Sequence, residues 1–102
     1  MNTVELRHSS GATALVHIHG AHITSWKTSD GVERLFLSKR AEFKAGAAVR
    51  GGVPIIFPQF AALGSLPKHG FARMSTWYLI DNTSLDTVTF ELKDSAETRA
   101  IW

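Results

Sequence analysis

Apolar and polar residues alternate with a period of two from the start of the chain. Val4 and Leu6 alternate with Thr3, Glu5 and Arg7 in residues 3–8, and Ala14, Val16 and Ile18 mark the same rhythm in residues 13–19. A period of two sends every second side chain to one face of a β-strand. Ser9-Ser10-Gly11 between the two runs has turn chemistry, so the pair predicts a hairpin. Gly20-Ala21 breaks the pattern and residues 22–27 resume it as a third strand, with Ile23 and Ser25 on one face and Thr24 and Trp26 on the other. Ser29-Asp30-Gly31 predicts a tight turn, and the large apolar residues of 32–38 predict a fourth strand. Residues 77–81 and the alternating stretch 87–93 read as two more strands about a turn at Asn82-Thr83-Ser84, and Asp94-Ser95-Ala96-Glu97 is suited to opening a helical turn.

Two stretches lose the alternation. Residues 39–52 gather small residues before Arg50-Gly51-Gly52 and read as loop with room for one helical turn. Residues 59–73 are long for a connection in a compact domain, and ordered loops of that length are more often functional than idle. About six or seven short strands without a long helix predict an all-β fold, an antiparallel β-sandwich or barrel. The chain stops at Ala100-Ile101-Trp102 without a polar tail, as expected of a chain cut within a fold, so residues 1–102 are expected to form a single partial domain.

Composition narrows the functional classes. At 102 residues and 44% apolar content, one small core is within reach and two domains are not. Eleven Lys and Arg against nine Asp and Glu leave a formal charge of +2, too slight and scattered for a nucleic-acid footprint. The absence of cysteine removes disulfides and thiolate metal sites and suggests a reducing, cytoplasmic setting. The first ten residues lack the charged head and apolar run of a signal peptide, and the most apolar stretch, 52–64, is interrupted by Pro54, Pro58 and Gln59 well short of the roughly 20 residues a membrane helix needs.

Charge among residues expected to be buried singles out two segments, 50–60 and 66–73. Gly51-Gly52 lets the backbone after Arg50 turn tightly or approach a ligand closely, and Pro54 and Pro58 stiffen the residues beyond the glycines. In the second segment Gly70 relieves crowding beside His69, and Phe71 anchors the loop between His69 and Arg73. On the residues alone, structural ion pairs compete with a binding role: Arg50 with Glu42 or Glu33, and Arg73 with Asp81. His17 and His19 share a strand face with His22 nearby, which raises a three-histidine zinc site. Alternate strand positions diverge and no carboxylate or cysteine completes the set, so no metal is expected and these histidines read as facing solvent. Glu5, Glu33, Glu42, Glu91 and Glu97 lie in strand patterns or flanking turns, without an argument for a general base.

The run RGGVPIIFPQF (50–60), the motif LPKHGFAR (66–73) with Trp77 after it, the earlier GAHITSW (20–26) and the closing ETRAIW (97–102) resemble the hexose-6-phosphate mutarotases, or glucose-6-phosphate 1-epimerases, of the aldose 1-epimerase group. The resemblance covers nearly all of the chain from Gly20 onward. It implies the galactose mutarotase-like β-sandwich, of which these residues are the amino-terminal part. It also implies interconversion of the α and β anomers of hexose 6-phosphates by acid and base catalysis of ring opening, without cofactor. By position, His69 matches a substrate-contacting histidine, Arg50 and Arg73 match arginines near the sugar and its phosphate, and Gln59 could bond a sugar hydroxyl. Trp26, Phe60 and Trp77 could add apolar walls. The family's acid histidine and base glutamate are expected beyond residue 102, so this chain supplies substrate-binding residues only, no catalytic ones, and is expected to be inactive alone. The competing reading is a non-catalytic carbohydrate-binding module or inactive fragment. The expected partner is a hexose 6-phosphate, with no nucleic acid or membrane, and exposed sheet edges would favour self-association of a truncated chain.

Overall fold

The computed structural model describes residues 2–44 and 46–102. Strands β1 (Thr3–Arg7), β2 (Thr13–His17) and β3 (His22–Lys27) form an antiparallel sheet in the order β1-β2-β3, and β4 (Tyr78–Asp81) pairs with β5 (Thr89–Glu91) in a second antiparallel sheet. A 3-10 turn, Ala72–Met74, and one helical turn, α1 (Ala96–Arg99), complete the elements.

The hairpin follows the alternating pattern residue for residue. Thr3 faces His17 and Val4 faces Val16, so the buried valines meet on the covered side of the sheet. Between β2 and β3 the register shifts: Leu15 faces Ser25 and Val16 faces Ile23, which leaves Thr24 as the extra residue of a bulge. His22 and Thr24 thereby become the buried positions of β3.

The fourth strand expected over 32–38 does not form; two isolated bridges, Lys27 to Glu33 and Leu37 to Gly51, stand in its place. Glu33 explains the difference. Its carboxylate accepts from the backbone N–H groups of Trp26 at 2.9 Å and Leu35 at 3.1 Å and from the Ser25 hydroxyl, so a side chain occupies a position that a ladder carbonyl would take. The described residues therefore hold five strands rather than six or seven, and the strand expected over 87–93 contracts to Thr89–Glu91. Residues 39–52 hold no helical turn among those described. The helical turn after Asp94 is present, closed by a capping box in which Ser95 Oγ accepts from Thr98 N–H and Thr98 Oγ1 accepts from Ser95 N–H.

Buried apolar residues among those described are small: Val4, Val16, Ala21, Val49 and Ala72. The largest fully buried side chain is His22, and His19 is 3% exposed. This corrects the expectation that the strand histidines face solvent. Both sit where the β2–β3 turn meets the glycine-rich segment, covered from the far side by residues 47–53. His17 is half-buried and stacks on Phe43 with ring centroids 4.2 Å apart.

Candidate functional site

Ile23 exchanges both backbone hydrogen bonds with Val53, at 3.2 and 2.8 Å, which lays the segment after the paired glycines along β3. Gly52 has φ +67, and a Cβ there would lie inside contact distance of the Ile23 carbonyl and the His22 ring. Only glycine fits so close to the strand. On the other side Ser38 N–H donates to the Arg50 carbonyl at 2.9 Å and Gly52 N–H to that of Phe36 at 2.7 Å. The backbone of Arg50 is thus held from two directions while its side chain stays exposed.

The two motifs are tied to each other through Phe57. Its carbonyl accepts from the N–H groups of Phe71 and Ala72, both at 3.1 Å, and Phe57 and Gly70 form a parallel bridge. Gly70, at φ +71, passes so near this carbonyl that no Cβ could be placed. The crossing carries Arg73, in the 3-10 turn, toward Arg50.

Arg50 and Arg73 line one cleft of about 630 Å³, together with Arg40, Lys68, Glu42 and residues 47–49. That size suits a small ligand. Arg73 donates from Nη2 to the Lys68 carbonyl at 3.1 Å, and its buried Nε has no partner. Neither arginine forms an ion pair among the described residues. The proposed acidic partners are engaged elsewhere: Glu42 with Lys44 at 2.9 Å, Glu33 with Ser25 and Trp26, and Asp81 with Thr83. The Lys44 hydrogen bond, then its charge, holds the Glu42 carboxyl below its ordinary value, with a smaller contribution from Arg50. Four cationic residues therefore line a space whose one carboxylate is already paired. The arrangement is suited to a multiply charged anion.

His69 and Gln59 lie outside that lining. His69 has φ +62, its Nδ1 accepts from Ala61 N–H at 2.9 Å, and its ring meets Phe60 edge-on at 5.3 Å. Accepting at Nδ1 leaves the proton of the neutral ring on Nε2, which points away as a donor. Gln59 closes the intervening loop: Nε2 donates to the carbonyls of Ala61 at 2.7 Å and Leu66 at 3.0 Å, and Oε1 accepts from Leu66 N–H at 2.8 Å. Trp26 and Phe60 are largely exposed, while Trp77 donates from Nε1 to the Ala72 carbonyl at 3.0 Å. Arg40 and Lys68 are not marked out by the sequence, although Lys68 adjoins His69 and Arg40 lies near the start of the irregular stretch before Arg50. Their charge was visible in the sequence, but their convergence depends on the loop crossing at Phe57.

Among the described residues there is no cluster of three metal-ligating side chains and no helix long and apolar enough to cross a membrane. His19 and His22 instead direct Nε2 at the backbone carbonyls of Ala47 and Gly51.

Known proteins resemble this chain in sequence and in fold. A provisionally named glucose-6-phosphate 1-epimerase from Cenchrus ciliaris is 46% identical over 82 residues, which are 80% of this chain and 25% of the relative. One of the same provisional name from Salmonella typhimurium is 47% identical over 90 residues, 83% of this chain and 31% of the relative. The crystal structure of a provisionally named mutarotase from Salmonella typhimurium superposes with a TM-score of 0.80 at 41% identity, covering 98% of this chain and 35% of that one. A galactose mutarotase related enzyme from Lactobacillus acidophilus shares the fold with a TM-score of 0.74 at 23% identity. The chain thus spans between a quarter and about a third of the length of these proteins. The family model for aldose 1-epimerase matches residues 2–102, and the chain belongs to that family.

Proposed function

We propose that this chain forms the phosphate-binding wall of an isomerase that interconverts the α and β anomers of hexose 6-phosphates. The observation that carries the reading is the convergence of Arg40, Arg50, Lys68 and Arg73 on one cleft. Arg50 and Arg73 bring planar donor forks to phosphate oxygens, and Lys68 and Arg40 add charge. By the family resemblance His69 is read as a contact to the sugar; its ring lies outside the cleft lining, on the adjoining loop that Gln59 keeps in shape.

Ring opening requires a base for the anomeric hydroxyl and an acid for the ring oxygen. Glu42 is the carboxylate in the cleft, and its pairing with Lys44 lowers its basicity. By the resemblance to the hexose-6-phosphate mutarotases, the base and the principal acid are assigned to the part of the enzyme outside these residues, in a cytoplasmic sugar-phosphate isomerase.

Two-dimensional exchange NMR of glucose 6-phosphate tests this. A protein extended to the length of the relatives speeds exchange between the anomer signals, whereas the 102-residue chain leaves the exchange rate at its buffer value. Acceleration by the short chain would overturn the division of labour. Failure of the extended protein to accelerate exchange would favour a carbohydrate-binding module.

A further inference from the structure

The turn between β2 and β3 lies behind the cleft and touches the backbone that carries both arginines. Gly20, at φ +74, passes so close to the Arg73 carbonyl that an added Cβ would sit 2.6 Å from it, and Gly20 N–H donates to Ser75 O, also at 2.6 Å. The histidines on either side of this turn reach the other wall. His19 Nε2 donates to the carbonyl of Ala47 at 2.7 Å, and His22 Nε2 donates to the carbonyl of Gly51 at 2.5 Å. Between those carbonyls runs the backbone of residues 47–50, which lines the cleft and ends in Arg50.

We infer that His19 and His22 are positioning residues, a pair of buried imidazole struts that fix the cleft wall bearing Arg50 at a set distance from Arg73. This rests on the reading of the cleft as an anion site. The Nδ1 atom of each ring is buried and has no partner, so each ring makes one directed bond, with the donated proton on the Nε2 that faces a carbonyl. An exposed arginine has many rotamers, and fixing its backbone removes part of the entropy that anion binding must otherwise overcome. An aliphatic side chain in place of His22 would also leave the Gly51 carbonyl without this donor in a covered place, where an unmet acceptor is unfavourable.

His22→Gln and His22→Leu separate a directed bond from simple space filling. A glutamine amide nitrogen reaches about as far as imidazole Nε2 and can donate, whereas leucine cannot. Inorganic phosphate is titrated into the ¹⁵N-labelled chain while the backbone and arginine Nε–H signals are followed. The strut predicts affinity within about 3-fold of the parent for H22Q and a loss of about 10-fold or more for H22L. It is overturned if folded H22L keeps the parent affinity, or if H22Q loses as much as H22L. Amide exchange without phosphate gives a second, independent readout at Gly52 N–H, which is bonded to Phe36 O. H22L should exchange there faster than H22Q by about 10-fold, and equal rates would reject the strut. If the parent chain shows no phosphate response, the anion-site reading fails, and the exchange result alone then decides whether the strut exists. If H22L does not fold, slow exchange and a protonated-Nε2 signature for His22 in the parent and slow exchange in H22Q support the strut; an Nδ1-protonated ring rejects it.

Discussion

Gly70 is a residue where geometry leaves one choice. Its positive φ and its passage against the Phe57 carbonyl mean that Gly70→Ala must both strain the backbone and push the two motifs apart. A loss of about 2 kcal/mol or more is expected in urea unfolding; a loss under half of that would show that the crossing yields easily. His22 makes a different prediction. Burial is the main cause that lowers its pKa from 6.5, opposed by its bond to Gly51 and aided by the proximity of His19. Because the unfolded chain takes up the proton more readily, the stability contributed by neutral His22 is fully present above about pH 6.5 and falls away as pH drops through the lowered folded value. The urea midpoint should decline between pH 7.5 and 5.5, and more steeply in the parent than in His22→Gln; identical slopes would exclude His22 as a source. The sequence showed Arg50, Arg73 and His69 as residues worth pursuing, since glycines and prolines around them announce a fixed loop. It could not show that His19 and His22 turn inward, because the bulge at Thr24 and the cover from residues 47–53 arise only through tertiary pairing.

At the scale of elements, β1 to β3 were legible because each face of the sheet is marked by alternation. Residues 32–38 do not form a strand despite their apolar content, because the Glu33 carboxylate takes the N–H groups of Trp26 and Leu35. The loop from 59 to 69 is held by side chains, which no periodicity reports. Gln59 makes its bonds to both ends of that loop, and His69 Nδ1 adds another to Ala61. Gln59→Ala should therefore speed amide exchange at Leu66 and His69 by about 10-fold or more, in line with the loss of partly buried hydrogen bonds, and leave exchange at Val16 in β2 unchanged. Equal acceleration throughout the chain would instead mean that the loop opens only with global unfolding.

As a whole molecule, the chain leaves much apolar surface uncovered. Phe36, Leu63, Leu85 and Trp102 are each at least 70% exposed, and an apolar hollow lies between Ile55, Phe57, Trp77 and Leu92. Its radius of gyration, 14.5 Å, exceeds the roughly 13 Å usual for a domain of about this length. Sedimentation velocity on the 102-residue chain should show self-association between about 10 and about 200 μM, a range in which exposed apolar patches and sheet edges ordinarily associate; a strictly monomeric profile would count against that expectation. The central claim concerns the cleft, where two arginines from separate motifs meet. The most direct measurement compares glucose 6-phosphate with glucose in titrations of the parent chain, Arg50→Gln and Arg73→Gln. Each substitution is expected to weaken glucose 6-phosphate by about 10-fold or more while changing glucose by less than about 2-fold. Equal losses for the two sugars, or no loss for either, would contradict the assignment of this cleft to phosphate.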